Sequence, residues 1–180
     1  RNKVIYAKEG FVIVSLAWIL MSVIGAMPFV ISGEIPSFVD ALFEMVSGFT
    51  TTGASILTDV ESMSEGLLFW RSFSHWIGGM GVLVFVLAIT AGIPDRSIHI
   101  MRAEMPGPIV DKLVPKARET AKILYLIYIG MTLLEVVVLV ICKMSVFDAI
   151  VHTFGTACTG GFGLYGDSIA GYSPVIQWVI

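Results

Sequence analysis

Two short runs carry the residue types on which the chemistry of this chain has to rest: Thr50-Thr51-Thr52-Gly53-Ala54-Ser55 and Cys158-Thr159-Gly160-Gly161-Phe162-Gly163. What they offer is backbone. Glycines and small residues permit dihedrals that other residues resist, so a short extended stretch can point its carbonyl oxygens inward and replace the water around a cation. Covalent chemistry has no comparable candidates. His75, His99 and His152 show no metal-ligand spacing, and no nucleophile sits beside a base, so an enzyme is not expected. Cys142 and Cys158 form neither a disulfide framework nor a zinc pattern, and read as buried or pore-lining thiols.

Such turns need elements to hold them, and the composition says in which solvent. The chain is 56% hydrophobic and 14% charged, with a mean hydropathy of +0.88, whereas soluble domains carry about a quarter charged residues. It belongs in lipid, and nucleic acid is set aside as a partner. The net charge of -3 matters less than where Lys and Arg are placed. Three stretches, 11–31, 67–91 and 121–142, are long and apolar enough to span. The first is expected to be a true span, because no small-residue cleavage pattern follows it. Between the second and third lies a polar segment, 94–122, with Arg96, Arg102, Lys112, Lys116, Arg118 and Lys122. The positive-inside rule makes it cytoplasmic, and Arg1, Lys3 and Lys8 place the N-terminal end on the same side. The segments 32–66 and 143–173 then face outward. The chain stops inside what reads as the opening of a further apolar helix, so a longer protein is expected.

An internal repeat organises these pieces. A shift of 108 residues lays Ser37-Phe38-Val39-Asp40-Ala41-Leu42 on Ser145-Val146-Phe147-Asp148-Ala149-Ile150, Gly53 on Gly161 and Trp70 on Trp178, without a gap. Two spans separate the copies, so both run the same way through the membrane. The expected fold is an all-α membrane protein of tandem parallel helix, pore loop, helix repeats. The first repeat is 1–91, the cytoplasmic basic loop 92–120 and the second repeat 121–180, which reaches only the start of its inner helix. In each, Ser37-x-x-Asp40 or Ser145-x-x-Asp148 resembles a capping box ahead of a helix too short to cross. Such a chain must turn back at membrane depth, where irregular backbone is tolerated only if buried in protein or lining water. The negative C-terminal ends of the short helices favour a cation over an anion.

Thr159 to Gly163 matches the potassium-channel pattern TVGYG at Thr, central Gly, aromatic and final Gly, while Thr51 to Ser55 keeps the Thr and central Gly53. Together with Phe43-Glu44-Met45-Val46-Ser47-Gly48-Phe49, Trp70-Arg71-Ser72-Phe73-Ser74-His75-Trp76-Ile77-Gly78-Gly79-Met80-Gly81 and Ala103-Glu104-Met105-Pro106-Gly107-Pro108, the chain resembles the Trk/Ktr/HKT superfamily of potassium transporters, its TrkH-like membrane subunits in particular. The resemblance implies four non-identical repeats around one pore, the first two being present here. It implies potassium uptake across a bacterial or archaeal cell membrane through a selectivity filter. Gly53 and Gly161 would be the central filter glycines, and the carbonyls of Thr50, Thr51, Thr52, Cys158, Thr159 and Gly160 would line the potassium sites. It further implies a homodimer in membrane lipid and a cytoplasmic nucleotide-binding, TrkA-like regulatory subunit, with potassium as substrate and no cofactor in this chain. Ala54 and Ser55 depart from the channel pattern.

Three further side chains bear on the mechanism. Arg71 and His75 stand one turn apart near the outer end of an inner helix, where the plain reading is a snorkelling Arg beside an interfacial His. Glu135 lies about seven residues, roughly 10 Å, inside the third span and needs a partner or water. Depth alone makes an Arg71 to Glu135 pair the expected brace between the repeats. A Glu135 without a cationic partner would instead favour the alternative function, potassium/sodium or potassium/proton symport by alternating access. Gly78, Gly79 and Gly81 are expected to allow close helix packing, with a hinge as second reading.

Overall fold

A computed structural model describes residues 7–81 and 117–180, with side chains from 12–81 and 122–180. The basic loop, the remainder of the expected span 67–91 and the run 103–108 lie outside the described residues. Within them the elements are helical: α1 (Ala7–Ser32), α2 (Phe38–Phe49), α3 (Glu65–Gly79), α4 (Ala117–Ile141), α5 (Val146–Ala157) and α6 (Pro174–Val179). One compact unit holds 7–21, 80–81 and 117–128 of the described residues. The other holds 22–79 and 129–180, and contains both turns.

Val12–Ser32 and Lys122–Ile141 have mean hydropathies of 2.2 and 2.4 over 21 and 20 residues, long enough for a hydrocarbon core of about 30 Å. Their apolar side chains are largely uncovered: Leu16, Ile24, Leu126 and Leu134 are more than half exposed. In water such a surface would be a severe liability; in lipid it is the ordinary outer face of a span. The expected span 67–91 is described only as far as residue 81. The helix α3 ends at Gly79, and Gly81 at φ 68° occupies the left-handed region that stops an α-helix. Gly78 packs closely, since a Cβ there would meet the Phe49 carbonyl.

The repeat is visible in every short element. Adding 108 to the bounds of α2 returns those of α5. Ser37 and Ser145 cap the two helices from extended backbone, each side chain accepting the N–H of its Asp, from Asp40 at 3.4 Å and Asp148 at 3.1 Å. At 12 residues each, these helices rise about 18 Å, too short to cross a hydrocarbon core of about 30 Å.

Candidate functional site: the paired turns after the short helices

Each short helix ends in the same hydrogen-bonded turn. The N–H of Thr51 donates to Gly48 O at 3.0 Å and that of Thr52 to Ser47 O at 2.9 Å. At the equivalent positions Thr159 donates to Thr156 O at 2.9 Å and Gly160 to Gly155 O at 2.8 Å. These are Schellman-type endings, whose penultimate residue adopts the left-handed conformation and is ordinarily glycine. Here threonine fills that place twice, Thr51 at φ 54° and Thr159 at φ 58°. A β-branched residue there is strained, and both copies carry the same strain.

Two residues further on, Gly53 at φ 77° and Gly161 at φ 84° are again left-handed, while Thr50 (φ -83°), Cys158 (φ -98°), Thr52 and Gly160 are not. Handedness therefore alternates residue by residue along both turns. In a strand of one handedness successive carbonyls point to opposite sides; alternation brings them to the same side. A Cβ on Gly53 would strike the Gly160 carbonyl, so the two turns pass each other in contact. The alternation runs along both sets of residues expected at the filter, Thr50, Thr51, Thr52 and Gly53 in one turn and Cys158, Thr159, Gly160 and Gly161 in the other, and the approach is between Gly53 and Gly160.

Behind the turns stands a buried charged group. Glu44, on α2, is fully buried and receives Arg71 Nε at 2.5 Å, Ser55 Oγ at 2.8 Å and the Ile56 N–H at 3.0 Å. Arg71 Nη1 donates to Gly163 O at 3.1 Å, and its guanidinium lies 3.5 Å over the Phe162 ring. The imidazole of His75 stacks on the same ring at 3.9 Å. Neither imidazole nitrogen makes a hydrogen bond, although the Ser47 backbone lies close by.

Two expectations change here. The Arg71 to Glu135 pair does not form, because the Arg71 carboxylate is Glu44. Equal depth in a membrane fixes height but not direction, and Glu44 is the acid on the facing helix. Nor does Arg71 snorkel: it is 3% exposed and His75 0%. Glu135, half-buried, keeps an Oε1 with no partner and lies beside Thr156 and near Cys158. Glu44 went unread in the sequence as a partner. The repeat held the signal, since Glu44 and Arg71 align with His152 and Val179, so the acid and the base are lost together from the second copy.

In that copy His152 Nε2 is buried with no partner, and a cavity of about 390 Å³ is lined by His152, Thr156, Thr159, Gly161 and Gly163. Tyr172, from the outer segment, donates to Asp148 Oδ2 at 3.1 Å and meets the His152 ring edge to face. Burial, then the Asp148 carboxylate, pushes its phenol above the ordinary value.

Short capped helices that turn back through paired, carbonyl-bearing loops define a membrane protein of the pore-loop repeat class. A family model described as TrkH, cation transport protein, matches residues 1–180, and the chain belongs to that family. It is 42% identical over 178 residues to the Trk system potassium uptake protein TrkH of Escherichia coli K12, and 40% over 164 residues to TrkG of the same strain. These matches cover 97% and 90% of this chain but 37% and 34% of those proteins, so the chain spans little more than a third of their length. The crystal structure of the potassium transporter TrkH from Vibrio parahaemolyticus superposes with a TM-score of 0.77 at 32% identity, over 99% of this chain and 35% of that one. The fold is thus all-α with pore-loop helix repeats.

Proposed function

We propose that this chain supplies two of the repeats of a potassium-uptake pore, and that the carbonyls of Thr50, Thr51, Thr52, Cys158, Thr159 and Gly160, with Gly53 and Gly161 at the centre, coordinate the dehydrated ion. The observation that carries this reading is the alternating handedness found at equivalent positions of both turns. It gives a row of carbonyls on one side without demanding charge, as a site that must both bind and release a cation requires. The C-terminal ends of α2 and α5 add partial negative charge beside the turns. The names of the related proteins support potassium as the ion. The N-terminal end and the basic segment 94–122 face the cytoplasm, where a TrkA-like nucleotide-binding subunit gates the full-length homodimer.

Uptake by the full-length protein in a potassium-uptake-deficient bacterium, with sodium as competitor, tests this. Wild type is expected to restore growth at low potassium, and Gly161→Ser to lose preference for potassium over sodium. Unchanged preference would remove the turns from consideration as the filter.

One observation favours a second reading, potassium/sodium or potassium/proton symport by alternating access: Glu135 has no cationic partner and a buried, unbonded Oε1. Under symport, Glu135→Gln abolishes the dependence of uptake on sodium or pH; under conduction, that variant leaves the ion dependence as in wild type.

A further inference from the structure

The charged group behind the turns is not shared evenly between the repeats. Arg71 and His75 both belong to α3 of the first repeat, yet most of what they hold belongs to the second turn. Four contacts carry the point. Arg71 donates to the Gly163 carbonyl at 3.1 Å. Its guanidinium covers Phe162 at 3.5 Å, and His75 stacks on that ring at 3.9 Å. A phenyl ring cannot seat both groups on one face at these distances, so Phe162 lies between them. Finally, a Cβ on Gly160 would run into the His75 imidazole, so the ring forms the wall behind that residue.

The second repeat has no equivalent of its own, since His152 and Val179 stand where the first has Glu44 and Arg71. Glu44 meanwhile binds Ser55 and Ile56 just beyond the first turn. One buried ion pair therefore touches both strands, the first through the carboxylate and the second through the guanidinium.

We propose that α3 is the positioning element for the second turn, with Arg71 and His75 gripping Phe162 and Gly163, so that ion discrimination there depends on side chains of the first repeat. This rests on reading the turns as the filter. The Gly163 carbonyl, taken by Arg71, is no ion ligand; it anchors the strand whose preceding carbonyls are. Lysine cannot replace arginine in this role. A single ammonium keeps the charge opposite Glu44 but lacks the planar fork that serves two acceptors and stacks on an aromatic ring.

The test compares full-length wild type with Arg71→Lys, Phe162→Leu and Gly161→Ser, reading the ratio of potassium to sodium uptake at matched amounts of protein in the membrane. Arg71→Lys is expected to lower that ratio about tenfold, the factor associated with one hydrogen bond. Phe162→Leu, which keeps apolar bulk and removes the sandwiched ring, is expected to lower it by a smaller factor, about threefold, in the range of a cation–π contact. A merely structural role would change protein amount and leave the ratio alone. If Arg71→Lys fails to accumulate, Phe162→Leu decides by itself. Wild-type ratios in the clamp variants beside a lowered ratio in Gly161→Ser would overturn the clamp and leave the filter standing. A wild-type ratio in Gly161→Ser would sink the filter reading itself.

Discussion

The two turns share a backbone and differ in what stands behind it. In both repeats a serine cap starts a 12-residue helix, a strained threonine ends it, and a glycine two residues later restores the left-handed conformation. Behind the first turn a fully buried carboxylate receives three donors. Behind the second, its own short helix offers only His152, with a partnerless nitrogen beside a cavity, and the contacts to Phe162 and Gly163 come from Arg71 and His75 of the first repeat. The shape of the turn is therefore a local matter, set by caps and hydrogen bonds within a few residues. Its stiffness is a tertiary matter and is supplied unequally.

The largest effect should come from removing the carboxylate. Glu44→Ala strands a buried guanidinium and frees Ser55 and the Ile56 N–H, at a cost of about 3–5 kcal/mol. Full-length Glu44→Ala protein is expected to be nearly absent from the membrane fraction. His152→Ala removes a side chain whose Nε2 bonds to nothing and whose ring meets Tyr172 edge to face, so it should cost about 1–2 kcal/mol. Equal losses of membrane protein in the two variants would break the comparison.

A middle-sized effect separates the two central glycines. Both sit at positive φ, where a Cβ costs about 1–2 kcal/mol. Gly53→Ala adds a collision with the Gly160 carbonyl, while nothing lies within 4 Å of a Cβ on Gly161. Thermal inactivation in detergent should therefore place Gly53→Ala well below Gly161→Ala, and the reverse order would mean that the turns do not touch at Gly53. The strained threonines give the opposite sign. Thr159→Gly should raise the inactivation temperature slightly, by relief of about 0.5–1 kcal/mol, while lowering potassium preference. A gain in stability with no loss of preference would show that the strain serves nothing in the ion path.

What could be read in advance follows the same division. Composition and span length placed the chain in lipid, and the shift of 108 residues anticipated the short helices, their caps and the paired turns, because those depend on residues close in sequence. Apolar content along 67–91 did not reveal that α3 ends at Gly79, ahead of a left-handed Gly81. The partner of Arg71 was missed for a different reason. Depth along a helix is countable from the sequence, but the direction a side chain faces across a bundle depends on packing, and Glu44 and Glu135 compete on direction alone.

The smallest expected effect tests whether the repeats really are alike where they look alike. Ser37→Ala and Ser145→Ala each remove one side-chain acceptor from a helix N-terminus, worth about 1 kcal/mol. The bond is longer at Ser37, 3.4 Å against 3.1 Å at Ser145, yet both helices keep an acid in the first turn, Asp40 or Asp148, to complement the dipole. The two substitutions should therefore lower thermal stability by the same amount within about 0.5 kcal/mol, and add in the double variant, as separated sites do. Neither should alter the ratio of potassium to sodium uptake, because Ser37 lies two helical turns from Glu44 and Ser145 as far from His152. A Ser145→Ala variant that shifts that ratio while Ser37→Ala does not would mean that the second turn depends on its own helix. The support from α3 would then be secondary, and the asymmetry between the repeats would begin at the caps.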